Sequence, residues 1–402
     1  MSTTRSAQAD AIVLGLGAMG SAVACRLARH GLRVIGIDRH HPPHDRGSTH
    51  GDTRITRLAI GEGPEYAPLV RRSHVLWREL EAETGATLMR QVGGLVIGDA
   101  DDRFLAETRA NAALNDIAHE NLTHVALTER FPMFAAPAGA EAYLEPEAGL
   151  LHPEAAVRAQ LSLAQSAGAE LRPGTEVGRW HSDGDGVTVV TDEGTLHARE
   201  LVLCAGAWIP RLAPEYADLF EIHRQLLHWF PIRQGYEALR RMPIFIWEIP
   251  GERDDFTHLS GGFYGFPAID GPGGGVKLAT ERYEQAADPD EPLPAATGAR
   301  EAARLYEEHI ARLFPWVGAT PLRTAPCLYT NTRGSRFLIG PHPERPHVTV
   351  VAACSGHGFK HSPAIGEAVA QLLTGGASAI DLTPFALPSP SAAGSPAPVG
   401  SA

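Results

Sequence analysis

The sequence is poor in cysteine, in long apolar runs and in positive charge. It has four cysteines, Cys25, Cys204, Cys327 and Cys354, and none in a C-x-x-C spacing, so neither a disulfide framework nor a zinc site is expected and a reducing, cytoplasmic compartment is predicted. No run of about 20 apolar residues predicts a membrane-spanning helix. The net charge of -12 and pI near 5.9 give no electrostatic footprint for nucleic acid or an anionic membrane.

What the sequence does contain is enough material for two packed domains. It has 402 residues, of which 44% are hydrophobic, and it carries no internal repeats. Residues 387–402 are almost all Pro, Ser, Ala and Gly and are predicted to form a flexible tail. The histidine-rich loop 39–44 is not predicted to bind a metal, because no carboxylate or cysteine completes a ligand set.

A glycine pattern near the start organises the chain. An apolar strand leads into Gly15, Gly17 and Gly20, a helix follows, and a second apolar strand ends at Asp38. Gly15 allows a tight turn, Gly17 lets the backbone approach a pyrophosphate, and Gly20 lets the helix pack closely on the strand. The helix N-terminus favours phosphate, and an acid about 20 residues further on is typical of ribose binding. These features predict a dinucleotide site and leave the identity of the dinucleotide open.

The remaining pattern predicts an α/β fold in which a Rossmann-like domain is assembled from separated segments. A hairpin is predicted around residues 192–194, short aromatic strands follow from residue 224, and a buried strand at 348–353 leads into a glycine loop and a helix. The late strand and helix are expected to return to the first domain. Helices are further predicted over residues 65–84, 101–119, 150–168 and 297–314.

Several residues could carry chemistry on their own pattern. The loop 47–57 is polar and basic, and the loop 355–360 opens a helix with Lys360 in its first turn, where a cation favours an anionic ligand. Lys277 lies in an apolar strand, where it either alternates toward water or points inward to a ligand or acid. Cys327 has no local sign of reactivity and is treated as a core residue at this point.

Taken together, these motifs resemble the monomeric sarcosine oxidase and N-methyltryptophan oxidase family. The resemblance runs in order from about residue 11 to 373. It rests on the loop 47–57 with 61–63, and on the stretches 204–208, 264–267, 277–278, 327–330 and 355–360.

The resemblance implies an FAD-binding domain and a substrate domain, together with roles for individual residues. It places the FAD-binding domain at residues 9–88, 149–222 and 334–386, and an α+β substrate domain with a mostly antiparallel sheet at 89–148 and 223–333. It implies a covalent bond between Cys327 and the flavin. The other implied cofactor contacts are Gly15, Gly17, Met19, Gly20, Asp38, Ser48, Ala205, Gly206, Trp208, Gly356, Gly358 and Phe359.

The resemblance also implies the catalytic residues. Arg57 and Lys360 match residues that hold the substrate carboxylate, and Lys277 matches the lysine that promotes oxygen reduction. His50 and Arg54 match residues against the flavin, whereas Tyr264 and Tyr329 match residues lining the substrate cavity. The implied activity is oxidation of a secondary amino acid to an imine, with oxygen as acceptor, hydrogen peroxide as product and a monomeric enzyme.

The sequence departs from the sarcosine oxidase pattern at two positions. Glu281 stands where those enzymes carry a histidine, and His361 replaces a phenylalanine. A carboxylate near the cavity would repel a second acid and receive a donor or cation, so a larger N-methyl or cyclic amino acid is expected rather than sarcosine. The alternatives are a flavin dehydrogenase or imine-desaturating oxidase, a redox-inert FAD-binding module that recognises an amino acid, and a nicotinamide-dependent dehydrogenase.

Overall fold

The computed structural model describes residues 8–249, 261–281, 286–292 and 294–390. The predicted tail lies outside the described residues from 391 onward. No helix in these ranges is both long and apolar enough to cross a membrane.

The strands share one property that the sequence made visible, which is runs of apolar and β-branched residues bounded by glycine, proline or polar turns. In chain order they are β1 (Ala9–Leu14), β2 (Val34–Asp38), β3 (Arg54–Thr56), β4 (Met89–Gln91), β5 (Gly94–Asp99), β6 (Glu120–Leu122), β7 (Ala140–Glu145), β8 (Gly149–Leu151), β9 (Glu170–Pro173), β10 (Val177–Asp183), β11 (Gly186–Thr191), β12 (Gly194–Leu203), β13 (Phe220–Phe230), β14 (Ile244–Trp247), β15 (Phe263–Gly265), β16 (Val276–Thr280), β17 (Arg323–Thr332), β18 (Leu338–Pro341) and β19 (Val348–Ala352).

The helices follow the amphipathic stretches. In chain order they are α1 (Ala18–Arg29), α2 (Ala67–Thr84), α3 (Arg103–Leu114), α4 (His124–Arg130), α5 (Pro153–Ser166), α6 (Ile209–Leu212), α7 (Tyr236–Arg241), α8 (Ala295–Leu305), α9 (Ala311–Leu313) and α10 (Ser362–Gly375). A π-helical turn, Tyr306–Ile310, joins α8 to α9.

The described residues divide into two compact units, and the first holds the glycine pattern. It consists of residues 8–49, 154–222 and 329–390. Its sheet has the order β10-β11-β12-β1-β2-β9, and β19 pairs with both β12 and β18. The strands β12, β1, β2 and β9 are parallel neighbours, and β19 runs parallel to β12. The late strand therefore joins the sheet of the glycine pattern, as predicted.

Close helix packing holds this first unit together. Helix α10 follows β19 and packs against α1, where a Cβ on Gly366 would lie 2.7 Å from the backbone carbon of Ala22. The buried core of the sheet includes Ile12, Ile37 and Val350. Burial on both faces explains why these parallel strands are continuous apolar runs.

The second unit consists of residues 50–153 and 223–328. Its large sheet has the order β17-β13-β16-β15-β14-β5-β7-β6. The pairs β13/β16, β16/β15, β15/β14, β5/β7 and β7/β6 are antiparallel, and β14 runs parallel to β5. A three-stranded sheet, β3-β8-β4, completes the unit. The predicted mostly antiparallel sheet is confirmed.

Three predicted helix boundaries are wrong in the same direction, because each predicted helix is too long. Helix α5 begins at Pro153 rather than residue 150, since residues 149–151 pair with β3 and β4. Helix α3 begins at Arg103, after Asp102 caps it by accepting a hydrogen bond from the Leu105 amide at 2.7 Å. Helix α2 is preceded by a 3₁₀ turn, Pro64–Tyr66.

Candidate active site

The glycine loop of the first unit has the close contacts that its sequence requires. Gly15 has φ +88°, and a Cβ there would lie 2.6 Å from the Cys204 carbonyl oxygen. A Cβ on Gly20 would lie 1.7 Å from the Gly15 oxygen, so α1 could not stay in place with any other residue. Gly17 is the N-cap of α1, and the atom nearest to a Cβ there is Thr49 Oγ1 at 3.4 Å.

Asp38 is held in place by backbone amides at the end of β2. Its Oδ2 accepts a hydrogen bond from Leu16 N at 2.7 Å, and its Oδ1 accepts one from His40 N at 2.8 Å. Burial raises the pKa of Asp38, but hydrogen bonds from His44, Leu16 and His40 outweigh it and keep the pKa below its usual range. The carboxylate is therefore fixed and ionised. An ionised acid here, with the open face of the glycine loop, fits a dinucleotide.

The other predicted cofactor residues of the first unit lie at strand ends and in turns. Gly206 has φ +52° and begins a 3₁₀ turn after β12. Trp208 ends that turn and contacts His40 edge to face, with ring centroids 6.0 Å apart. Ser48 Oγ lies 3.9 Å from Cys354 Sγ. Two more predicted residues complete this set, Met19 on α1 and Ala205 directly after Cys204.

The loop 355–360 of the first unit turns sharply between β19 and α10. Ser355 and Gly356 have positive φ, and a Cβ on Gly358 would lie 1.7 Å from the Ala353 oxygen. Phe359 begins a 3₁₀ turn that also contains Lys360. Lys360 is only 3% exposed, and its Nζ donates to the His357 carbonyl at 2.7 Å. A buried cation at the start of a helix is consistent with the predicted anionic ligand.

The second unit brings Arg54 and Cys327 together, although 273 residues separate them. Arg54 Nη2 lies 3.4 Å from Cys327 Sγ, and Nη1 donates to the Thr53 carbonyl at 2.8 Å. Cys327 is 1% exposed. A neighbouring guanidinium stabilises a thiolate, the nucleophilic form of cysteine, whereas burial acts in the opposite direction. The pattern of the sequence alone, which left Cys327 as an ordinary core residue, did not reveal this environment.

Lys277 points inward, so the outward alternative is wrong. It is 4% exposed, and its Nζ donates to the carbonyls of Gly51 at 2.8 Å and Thr53 at 2.7 Å. The ammonium lies 4.3 Å from the centre of the Phe266 ring and 5.8 Å from that of Trp229. These carbonyl dipoles and aromatic faces stabilise the buried ammonium.

Arg57 is buried in an ion pair of the second unit. Its Nη2 lies 2.6 Å from Glu62 Oε2, and Nη1 donates to the Ala59 carbonyl at 2.5 Å. The guanidinium lies 5.1 Å from the centre of the Phe104 ring. Among the described residues no partner accepts from the buried Nε. Arg57 therefore keeps a donor that a ligand could use.

The remaining predicted residues are placed less tightly. His50 is buried just before Gly51, one of the carbonyl partners of Lys277. Tyr264 on β15 packs on Phe266 with ring centroids 6.0 Å apart, so it shares this neighbour with Lys277. Tyr329 is buried on β17, and Glu281 is partly exposed directly after β16.

Two acids of the second unit carry no signal in the sequence that identifies them. Glu145, at the end of β7, accepts hydrogen bonds from the amides of Leu58 and Ala59. Asp52 has φ +69° and pairs with Arg323. The signal for Glu145 is an acid at the end of an apolar strand, Ala-Tyr-Leu-Glu, but its partners lie 86 and 87 residues away and no local pattern identifies them.

Comparisons with known proteins bear out the resemblance. The profile of a family described as FAD dependent oxidoreductase matches residues 10–372. A monomeric sarcosine oxidase of Streptomyces avermitilis is 40% identical over 373 residues, which is 92% of this chain and 94% of that protein. An N-methyl-L-tryptophan oxidase of Salmonella typhimurium is 34% identical over 94% of this chain and 98% of its own length.

A solved structure of similar fold gives the same result. The open form of NikD, described as an unusual amino acid oxidase essential for nikkomycin biosynthesis, superposes with a TM-score of 0.81 at 27% identity, covering 95% of this chain and 98% of that one. The glycine loop and Asp38 fit the cofactor of this family. The chain therefore belongs to the FAD-dependent oxidoreductase family, among the relatives of monomeric sarcosine oxidase and N-methyl-L-tryptophan oxidase.

Proposed function

We propose that this protein is an FAD-dependent oxidase of secondary amino acids that yields an imine and hydrogen peroxide. The named relatives support the class of reaction. The observation that carries the proposal for this chain is a pair of cations in one unit: the buried Lys277 on the carbonyls of Gly51 and Thr53, and the partly buried Arg54 beside Cys327. When bound, FAD supplies the two-electron chemistry, and the protein supplies orientation and charge.

Cys327 is the proposed covalent attachment point of the flavin. Attachment needs a nucleophilic sulfur, and the Arg54 guanidinium 3.4 Å away favours the thiolate. Burial also keeps the sulfur from other oxidants. In this proposal Arg54 promotes formation of the bond between Cys327 and the flavin. His50, four residues earlier in the chain, is proposed as a flavin contact because the resemblance implies it.

Lys277 is proposed to stabilise the negative charge that develops as oxygen is reduced. A preorganised charge in a buried site is worth more than the same charge in water. Two carbonyls and an aromatic face fix the ammonium, so no reorganisation is needed when oxygen arrives.

Arg57 is proposed to bind the substrate carboxylate, because its buried Nε–H has no described acceptor. Glu62 already neutralises part of its charge, so an incoming carboxylate would share or replace that partner. Lys360, Tyr264 and Tyr329 keep the substrate-binding roles that the resemblance implies. The cofactor contacts of the first unit are likewise proposed on the resemblance.

Glu281 is proposed to shift the substrate preference away from sarcosine. It is partly exposed at the end of β16, where a carboxylate would favour a substrate that carries a hydrogen-bond donor or cation beyond its own carboxylate. A larger N-methyl amino acid or a cyclic secondary amino acid meets this description.

A screen of secondary amines against the purified yellow protein tests the proposal. Anaerobic bleaching of the flavin spectrum by N-methyl or cyclic amino acids, followed by oxygen uptake and peroxide release, is the expected result. Bleaching without oxygen uptake would favour a dehydrogenase, and no bleaching by any amine would favour a redox-inert module. Turnover that is fastest with sarcosine would contradict the role given to Glu281.

Oxygen as acceptor, a monomeric state and a cytoplasmic location complete the proposal. Size-exclusion chromatography with light scattering checks the monomer, and fractionation of the producing cells checks the location.

A further inference from the structure

Glu145 is a buried acid that the proposed chemistry does not use. It ends β7 and is 1% exposed. Its Oε1 accepts from Leu58 N at 2.6 Å, and its Oε2 accepts from Ala59 N at 3.0 Å and from the Tyr143 hydroxyl at 3.1 Å. One carboxylate therefore receives three donors, two of which are backbone amides of the segment directly after Arg57.

The side chain of Arg57 also contacts this segment. Arg57 Nη1 donates to the carbonyl of Ala59, the residue whose N–H donates to Glu145. Arg57 Nη2 pairs with Glu62 a few residues further on. The backbone from 57 to 62 is thus fixed by Glu145 through its amides and by Arg57 through a carbonyl and a carboxylate.

The charge on Glu145 is costly where it lies. Burial raises its pKa, while hydrogen bonds from the Leu58 and Ala59 amides and the positive charge of Arg57 act against this rise. Without this acid the Leu58 and Ala59 amides would lose their acceptor, so the contact orders the segment that follows Arg57.

We propose that Glu145 is a positioning residue. By fixing the amides of Leu58 and Ala59, it holds the guanidinium of Arg57 in the position that binds the substrate carboxylate. This inference rests on the proposed role of Arg57 in substrate binding. A carboxylate can accept all three donors, whereas the amide of glutamine offers one oxygen and turns an NH₂ group toward a backbone N–H. In Glu145→Gln the segment 57–62 must move, and Arg57 moves with it.

The test compares Glu145→Gln with Glu141→Gln, a matched control on the same strand whose partner is Arg109. Glu145→Gln is expected to raise KM for a secondary amino acid at least tenfold and to change kcat less than threefold. KM for the matching amine without a carboxylate should stay within twofold. Glu141→Gln should match the wild type in all three values, and Arg57→Lys should reproduce the acid-specific rise in KM.

Hydrogen exchange of the peptide containing residues 57–62 gives a readout that does not depend on turnover. Exchange should be at least tenfold faster in Glu145→Gln and unchanged in Glu141→Gln. A Glu145→Gln protein that is less stable to heat but keeps the wild-type KM would overturn the proposal, because it would show a structural role only. If that variant does not fold, Tyr143→Phe, which removes one of the three donors, must show a smaller rise in KM for the acid alone.

If the proposed function is wrong, no secondary amino acid will bleach the flavin of the wild type. In that case acetate, a simple carboxylate, replaces the substrate as the probe. Slower exchange of the 57–62 peptide in acetate for the wild type, and not for Glu145→Gln, supports the positioning role. An equal effect of acetate on both proteins contradicts it.

Discussion

At the level of single residues, Lys277 stands out in the second unit because only 4% of its surface is exposed. Two carbonyl oxygens and the Phe266 face compensate the loss of water around Lys277. A cation is costly to bury, and here carbonyl dipoles and an aromatic face stabilise it. The ammonium of Lys277 is therefore held in a fixed position.

Lys277→Met is predicted to slow the reaction with oxygen by at least about 100-fold, the range seen when a preorganised electrostatic group is removed. Reduction of the flavin by substrate should change less than about tenfold, because the lysine acts on charge that appears only when oxygen is reduced. Stopped-flow measurement of each half-reaction checks this. Equal losses in both halves would mean that Lys277 acts on the substrate or on folding.

Buried histidines also predict a pH dependence of stability. Burial lowers the pKa of His228, whose Nδ1 lies 2.9 Å from Thr324 Oγ1, to about 4. The unfolded chain binds a proton at a pKa near 6.5, so stability is lost as the pH falls from about 6.5 to 4. At pH 5.5 the loss from this one residue is about 1.4 kcal/mol.

His228→Gln isolates that contribution. Between pH 7.5 and 5.5 the wild type is expected to lose about 1.4 kcal/mol more unfolding free energy than the variant. Urea denaturation at both pH values measures the difference. His74, whose pKa burial also lowers to about 4, should behave in the same way in His74→Gln. Parallel pH profiles for wild type and variants would contradict the assignment.

At the scale of elements, the first βαβ unit was predictable because its signals are local. The strand, glycine turn, helix and acid all fall within about 30 residues, as such a unit requires. Sequence pattern also found the hairpin of β11 and β12, which pair in register from Val187 with Ala198 to Thr191 with Gly194. Local signals fail where pairing with distant strands determines the structure. The sequence predicts a helix from residue 150, but β8 pairs with β3 and β4.

The candidate site shows the same limit. Each predicted residue was identified by its motif, but the partners that give it chemical character were not. Arg54 meets Cys327 across 273 residues, and Glu145 meets Leu58 across 87. Such contacts depend on strand order and register in the sheets, which no window of the sequence encodes.

The close approach at the glycine loop gives a prediction for α1. A Cβ on Gly20 would lie 1.7 Å from the Gly15 oxygen, and two backbone segments must separate to admit it. Gly20→Ala is expected to lower the free energy of unfolding by about 3 kcal/mol or more and to yield protein without FAD.

Gly184→Ala is the control, since a Cβ there meets no atom within 4 Å. Its free energy of unfolding should stay within about 0.5 kcal/mol of the wild type. Thermal unfolding and the flavin absorbance of the purified proteins measure both effects. A yellow Gly20→Ala protein of normal stability would contradict the packing argument.

At the scale of the whole molecule, a covalent bond to FAD changes how stability depends on cofactor concentration. A ligand that binds only the folded state adds stability in proportion to the logarithm of its free concentration, about 1.4 kcal/mol for each tenfold increase above Kd. A cofactor bonded through Cys327 cannot dissociate, so added FAD has no such effect.

In Cys327→Ser the thermal stability is therefore predicted to depend on the concentration of free FAD, whereas in the wild type it should not. The Tm of the wild type should not respond to added FAD, and the yellow colour should remain with the protein after acid precipitation. The Tm of Cys327→Ser should rise by about 2 °C for each tenfold increase in free FAD, as expected for a chain of 402 residues, and its flavin should stay in the acid supernatant.

Cys354→Ser separates the loss of the bond from the loss of a thiol. Cys354 is partly exposed and contacts the Thr330 amide and Ser48 through its sulfur, so its replacement should leave the FAD dependence of the wild type unchanged. A Cys327→Ser protein that retains flavin through acid precipitation would assign the bond to another residue. Arg54→Gln separates an action of the guanidinium on the Cys327 sulfur from a contact with the flavin alone. If the charge acts on the sulfur, flavin attachment should be slower in this variant although Cys327 is still present.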